Sequence, residues 1–297
     1  MEVTRKRCWR QDGVIDLDIK GFFDKLDHAL LMRAVRHHTQ TRWMLLYVER
    51  WVKAPVQRQD GSLEERTQGS PPGSVISPLL SNLFMHYAFD DWMRRNHPTM
   101  QFARYADDAI VHASSLTQAK HILEAIRQRL AQCGLALHPE KTKIVYCQDS
   151  DRTARHDHVT FDFLGYTFAP RRAKNRWGKY FVSFLPAVSK KAANSMRATI
   201  RSWRLGATRN NQSLEDIARF VNPSVRGWVN DYGRFYGSAL TPVLRCLERS
   251  LTYWARRKYK RLRRHKRRAV HWLGSISRRE PKLFVHWQMG IRPAAGS

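Results

Sequence analysis

The spacing of apolar positions divides the chain into two textures. Over residues 14–18 apolar and acidic residues alternate (Val14-Ile15-Asp16-Leu17-Asp18), which predicts a short strand ending on a carboxylate. Residues 28–36 and 41–52 carry apolar side chains three and four apart and predict helices. Residues 55–59 and 63–67 flank Asp60-Gly61, a strong hairpin signal. After the loop Pro71-Pro72-Gly73, a helix is predicted from residue 77 to about 95, with Ser77 as its cap and Pro78 at its first position. Segments 102–105 and 109–112 predict a second hairpin with Ala106-Asp107-Asp108 at its turn. A helix over 116–133 stops at Gly134, and 143–147 and 161–168 read as strands. Beyond residue 183 the period becomes helical, over 189–205, 213–220, 223–236 and 242–263.

This order predicts an α+β fold: a mostly antiparallel sheet with helices on one face, followed by an α-helical region. With 297 residues, 42% of them hydrophobic, the chain can fill two domains. No apolar run approaches the roughly 20 residues that span a bilayer, so no membrane partner is expected. The polar, basic N-terminus predicts no signal peptide. Cys8, Cys133, Cys147 and Cys246 form no CxxC pair, which argues against a zinc ribbon or disulfide framework and for a reducing, cytoplasmic compartment.

Charge sharpens the division. Residues 1–169 carry 23 Lys and Arg against 20 Asp and Glu, a net +3; residues 170–297 carry 30 against 5, a net +25. The first part reads as a balanced catalytic body and the second as a module for polyanions. The expected organisation is a catalytic domain over 1–169, a connecting segment over 170–187, a helical domain over 188–265 and a basic extension over 266–297.

The chemistry gathers at two acidic strand ends, Asp16-Leu17-Asp18 and Tyr105-Ala106-Asp107-Asp108. Two-metal phosphoryl transfer needs carboxylates that hold two Mg²⁺ ions about 3.5–4 Å apart. A hairpin tip beside a neighbouring strand end can supply them. An Asp-Asp pair is also a common polar turn, and the spacing alone leaves both readings open.

Tyr105-Ala106-Asp107-Asp108 resembles the YADD motif of reverse transcriptases, and Asp18-Ile19-Lys20-Gly21-Phe22-Phe23-Asp24 resembles the motif upstream of it. Residues 69–82, with Gly69-Ser70-Pro71-Pro72-Gly73 and Ser77-Pro78-Leu79-Leu80-Ser81-Asn82, resemble the intervening GTPQG…SPLLxN motif. Residues 134–143 and 161–166 resemble the next two palm motifs. Arg226-Gly227-Trp228 with Tyr232 and Phe235-Tyr236 resembles the maturase domain of bacterial group II intron proteins.

The resemblance implies a polymerase palm followed by a helical thumb and maturase domain, acting as an RNA-directed DNA polymerase with a maturase role in intron splicing and mobility. It implies Asp18, Asp107 and Asp108 as catalytic carboxylates, with Asp18, Asp107 and the Ile19 carbonyl holding two Mg²⁺ ions. Asp16 is expected to be a strand-end neighbour, and Asp24 and Asp27 structural or capping residues. Nucleotide-binding residues would be Ile19, Phe23 (under the incoming sugar), Pro72, Gly73 and one of Lys141 or Lys143 near the triphosphate; an exposed loop lysine is the plain alternative. Phe22 would then face the core. Expected partners are intron RNA, an RNA template with a DNA primer, and deoxynucleoside triphosphates, with target DNA as a further partner.

Two departures qualify this. Pro72 stands where the family has a glutamine, and proline offers neither a side-chain hydrogen bond nor an N–H. The chain also enters the family pattern about a dozen residues before Asp18, so a chain truncated at its N-terminus, lacking the fingers, is expected. A maturase remnant without polymerase activity is therefore a competing reading, and a reverse transcriptase turned to host defence is a third. Expected nucleic-acid contacts are Arg226 and the run Arg256, Arg257, Lys258, Lys260, Arg261, Arg263, Arg264, Lys266, Arg267 and Arg268, where ten cations occupy thirteen positions without an acid. A solvated helix face is the plain alternative for that run. His271 and His286 lack paired cysteines, which predicts packing and not metal binding.

Overall fold

The computed structural model describes residues 1–57, 60–70 and 75–293. It divides into two compact units: residues 1–164 with 169–184, and residues 165–168 with 185–297.

In the first unit, α1 (Glu2–Arg10) precedes β1 (Gly13–Leu17), and α2 (His28–His38) and α3 (Arg42–Lys53) follow. Asp27 caps α2, its carboxylate accepting the Leu30 N–H at 2.7 Å. The hairpin at Asp60-Gly61 has only two-residue strands, β2 (Val56–Gln57) and β3 (Leu63–Glu64); residues 58–59 lie outside the described residues. Then come α4 (Ser77–Met85), α5 (Asp91–Asn96), β4 (Gln101–Tyr105), β5 (Asp108–Ala113), α6 (Leu116–Gln132) and β6 (Lys143–Tyr146).

These strands form an antiparallel sheet in the order β4-β5-β1-β6. Alternation gives it two faces. Ile15, Leu17, Ala109 and Val111 join the core with side chains of α2, α4 and α6, so these helices cover that face. Val14, Asp16, Ile110, His112 and Val145 point to the other. There α1 contributes: the Cys8 thiol bonds that of Cys147, and Arg7 donates to the Phe102 carbonyl at 2.7 Å. The helices are thus mainly, not wholly, on one face.

Several expectations need correction. Ser77 is not the cap of α4; Ile76 holds that position, and the Ser77 side chain turns inward to accept the Ser70 hydroxyl at 2.6 Å. The helix expected to run to residue 95 is interrupted by a π-helical turn at His86–Asp90. That wide turn lets three consecutive residues, Ala88, Phe89 and Asp90, be buried, which one stripe of an α-helix does not allow. The strand expected over 161–168 is broken at Leu164-Gly165, both with positive φ, into β7 (Phe161–Phe163) and β8 (Tyr166–Lys174). The segment read as a connection, 170–187, is built from β8 and β9 (Tyr180–Val188), in a sheet of order β7-β8-β9.

The second unit is helical: α7 (Lys190–Ser202), α8 (Leu205–Thr208), α9 (Leu214–Tyr236), α10 (Thr241–Lys258), α11 (Lys266–Arg279) and α12 (Val285–Gln288). Pro223 does not separate two helices as expected. It sits inside the 23-residue α9, whose start is fixed by a capping box of Ser213 and Asp216. Tertiary burial of Ile217, Ala218, Val221 and Val225 holds the helix through the proline. The basic extension is also structured: Ala269, Leu273, Phe284 and Trp287 are wholly buried in the same core as Trp254.

Candidate active site and basic surface

The acidic residues take their positions from strand register. β1 and β5 pair as Asp16 with Ile110 and Leu17 with Ala109, so one step further Asp18 lies level with Asp108. By alternation Asp16, Asp18 and Asp108 share the face opposite the helix layer. Asp107 is in the turn between β4 and β5, after Ala106, whose φ of 56° is left-handed. Asp108 itself opens β5 and is not part of the turn.

That turn is braced by a residue that carries no local signal in the residue order. Arg104 donates to the Ala106 carbonyl at 2.7 Å and to both Asp90 oxygens at 2.7 and 2.6 Å. The pair is nearly enclosed, with side-chain exposures of 10% and 12% for Arg104 and Asp90. Since Asp90 ends the π-helical turn, that irregularity supplies the partner of the hairpin brace.

The strand end at Asp18 is held from the other side. The His138 N–H donates to the Asp18 carbonyl at 2.7 Å, the Lys20 N–H to the Ala136 carbonyl at 2.9 Å, and the Asp18 N–H to the Thr142 hydroxyl at 3.2 Å. Ile19 bridges Leu137 in this pairing. Successive carbonyls of an extended chain point to opposite sides. With Asp18 C=O turned to His138, the Ile19 carbonyl faces the side of β5. Lys141 Nζ stands 3.6 Å from Asp18 Oδ2, and Lys143 Nζ 3.9 Å from Asp16 Oδ2.

The carboxylates sense one another. Burial pushes Asp16 up to about 7; Lys143 opposes this, and Asp108, Asp162 and Asp18 add to it. Burial likewise pushes Asp108 up to about 6, opposed by a hydrogen bond from the Leu164 backbone and aided by Asp107, Asp18 and Asp162. Asp162, in β7, was not among the expected site residues; it lies two residues before Leu164, whose backbone bonds Asp108. An all-oxygen set of repelling carboxylates suits a hard divalent cation, which would relieve that repulsion. Among the described residues no three such side chains, with His and Cys included, converge closely enough to hold a metal ion.

Phe22 is buried and Phe23 is 37% exposed, their rings meeting edge to face at 5.2 Å. The start of the next motif is seated on this turn: the Ser70 N–H donates to the Phe23 carbonyl at 2.7 Å and the Gly69 N–H to the Leu26 carbonyl at 2.7 Å. Gly69 has a φ of 84°, and a Cβ there would lie 2.8 Å from the Asp24 carbonyl oxygen, so a side chain is excluded. Pro72 and Gly73 lie outside the described residues.

In the second unit Arg226 is exposed on α9. Of the run 256–268, Arg257, Lys260, Arg261, Arg263, Arg264, Lys266, Arg267 and Arg268 are exposed across the end of α10, a 3₁₀ turn and the start of α11. Arg256 and Lys258 are half-buried, and Lys258 spends its ammonium on the Gln212 carbonyl at 2.5 Å. His286 is buried and hydrogen-bonded to Glu248, which also accepts from Trp287 Nε1 at 2.5 Å. It is a packing residue, as expected. Among the described residues no helix is long and apolar enough to cross a membrane.

The family profile for reverse transcriptase (RNA-dependent DNA polymerase) matches residues 3–168, and that for the group II intron maturase-specific domain matches residues 193–272. Protein YkfC of Escherichia coli is 29% identical over 228 residues, covering 65% of this chain and 55% of that protein. The group II intron-encoded protein LtrA of Lactococcus lactis is 29% identical over 72 residues, 24% of this chain and 12% of LtrA. The chain therefore spans about half the length of YkfC and far less of LtrA. Among solved structures, a telomerase from Candida albicans matches with a TM-score of 0.44 at 13% identity, covering 98% of this chain and 54% of that one. On the strength of the profile that spans more than half of it, the chain belongs to the reverse-transcriptase family, in the form that carries a group II intron maturase domain.

Proposed function

We propose that the chain acts as an RNA-directed DNA polymerase whose helical unit grips intron RNA, in the cytoplasm of a bacterial cell. The observation that carries this reading is the level alignment of Asp18 and Asp108 beside the Arg104-braced Asp107 turn. In it Asp18, Asp107 and the Ile19 carbonyl would hold two Mg²⁺ ions, with Asp108 as the third carboxylate. Those ions, when bound, activate a primer 3′-hydroxyl and neutralise charge on the incoming triphosphate. The chain's own residues orient the reaction. The hydrogen bonds of Thr142 and His138 fix Asp18. The exposed ring of Phe23 is positioned to lie under the sugar and disfavour a 2′-hydroxyl. Lys141, ion-paired with Asp18 at the strand end, is the lysine assigned to donating a proton to the leaving pyrophosphate. Arg226 and the exposed cations of 256–268 contact RNA phosphates; the inward Lys258 supports them without touching RNA.

Primer extension on an RNA template in Mg²⁺ tests the reading. Asp107→Ala is expected to lower extension by at least ~1,000-fold, the order expected when a transition-state charge clamp is lost, and to leave RNA affinity unchanged. Equal extension by wild type and Asp107→Ala would overturn it. A second reading, an RNA-binding maturase without synthesis, is favoured by Pro72 at the glutamine position. Wild type that binds intron RNA and extends no primer would establish it.

A further inference from the structure

The hairpin of β8 and β9 carries a feature unused by the reading above. Over residues 171–180 there are five cations (Arg171, Arg172, Lys174, Arg176 and Lys179) and no acid. Its tip is built, not loose. Asn175 closes it: its side-chain oxygen accepts the N–H groups of Trp177 at 3.0 Å and Lys179 at 2.9 Å, and its carbonyl accepts that of Gly178 at 3.0 Å. Gly178, at a φ of 86°, supplies the left-handed turn residue. Nearer its base, the ribbon is tied down by Ser150, whose hydroxyl accepts the Val182 N–H at 2.8 Å.

On this rigid tip the indole of Trp177 is 75% exposed, and Tyr180 and Phe181 are exposed beside it. Arg176 stacks over Trp177 at 4.0 Å, and Arg172 over Tyr180 at 4.0 Å. An exposed indole on a structured turn gains nothing for the fold, and Arg172, Lys174, Arg176 and Lys179, crowded on one ribbon, repel one another. Both costs are relieved by one kind of partner, a polyanion with flat apolar faces. We infer that residues 171–181 form a second nucleic-acid contact, on the unit that carries the carboxylates: Arg172, Lys174, Arg176 and Lys179 lie along the phosphates of a single strand, and Trp177 stacks on one of its bases. Unpaired bases are required because a duplex hides their faces. This contact extends the nucleic-acid part of the proposed function and does not depend on polymerase activity.

The test uses the full chain and fluorescence anisotropy with a 20-nucleotide single-stranded RNA, a DNA of the same sequence and the corresponding duplex, over a range of salt. Arg172→Gln/Arg176→Gln/Lys179→Gln is expected to flatten the log–log salt slope on single strands by about two units. Trp177→Ala is expected to weaken single-strand binding about tenfold, with little change on duplex, and Trp177→Phe to recover most of the loss. Loss on both single strands identifies a general strand contact, and loss on RNA alone a contact that also reads the 2′-hydroxyl; either supports the inference. Unchanged slope and affinity in the hairpin variants would overturn it. If neutralising the 256–268 run still weakens binding, the RNA grip of the proposed function stands without the hairpin. The converse result separates the two the other way.

Discussion

The two units use their carboxylates to opposite ends. At the end of the four-stranded sheet burial raises the proton affinity of Asp16 and Asp108, and the neighbouring charges of Asp18 and Asp162 raise both further, with Lys141 and Lys143 at the margin. In the helical unit acids are scarce, and Glu248 lies inside, bonded to His286 and Trp287, while cations cover the outside. The first arrangement gathers negative charge at one place, offset in part by Lys141 and Lys143, and so prepares it for a cation. The second ties Glu248, its buried carboxylate among the described residues, to His286 and Trp287 through one oxygen and leaves an excess of positive charge over a surface, which prepares it for a polyanion. Asp90 with Arg104 shows that the first unit also contains a settled carboxylate, and that this one holds the unsettled ones in position.

The comparison can be broken by several measurements. After the loss of extension expected for Asp107→Ala, the largest effect should come from neutralising Arg257, Arg261, Arg263, Arg264 and Arg268 together. The salt slope of RNA binding should flatten by about four units, and Mg²⁺-dependent extension on a saturating template should persist; an unchanged slope would remove the run from the interface. Next, Arg104→Met leaves Asp90 buried without its partner and releases the Ala106 turn. We expect a stability loss of about 3 kcal/mol and a fall in kcat larger than any change in KM, read by denaturant unfolding and primer extension. If Arg104 only stabilises the fold, kcat per folded molecule will not move. Glu248→Ala should cost the helical unit about 2–3 kcal/mol by leaving two buried donors unpaired, with RNA affinity falling only near the unfolding transition.

The smallest effect concerns acid stability. Burial, aided by Arg7, drives His112 down to about 3, and neither ring nitrogen has a hydrogen-bond partner among the described residues. The unfolded chain takes up this proton near pH 6.5 and the folded chain does not. The His112 contribution is therefore whole above about pH 6.5 and is lost as pH falls toward 3. His112→Leu should make unfolding less steeply dependent on pH between these values. An unaltered pH profile would mean that the ring is solvated in solution.

Much of this was legible from residue order. The strand at 14–18, the hairpin around Asp107, the helices α2, α3 and α6, and the charge division all follow from local patterns, because alternation, turn chemistry and helical period act between near neighbours. Asp18, Asp107 and Asp108 were legible because they sit at ends of such elements. Arg104 and Asp162 were not, since an arginine within a strand and an aspartate near a turn carry no local mark. Each matters only through contacts far along the chain. The π-helical turn, the unbroken α9 through Pro223 and the inward turn of Ser77 were missed for the same reason: in each, packing outweighed a local preference.

The sequence by itself determined most of the elements of the first unit, where the acids and cations lie along the chain, and the family to which the chain belongs. Only the tertiary structure decided that Asp18 stands level with Asp108, that Arg104 rather than a polar turn alone holds the Asp107 turn, and that residues 170–187 form a cation-covered two-stranded ribbon. These depend on register between distant strands and on burial. Both are set when the whole core closes, and neither is written in any short stretch of residues.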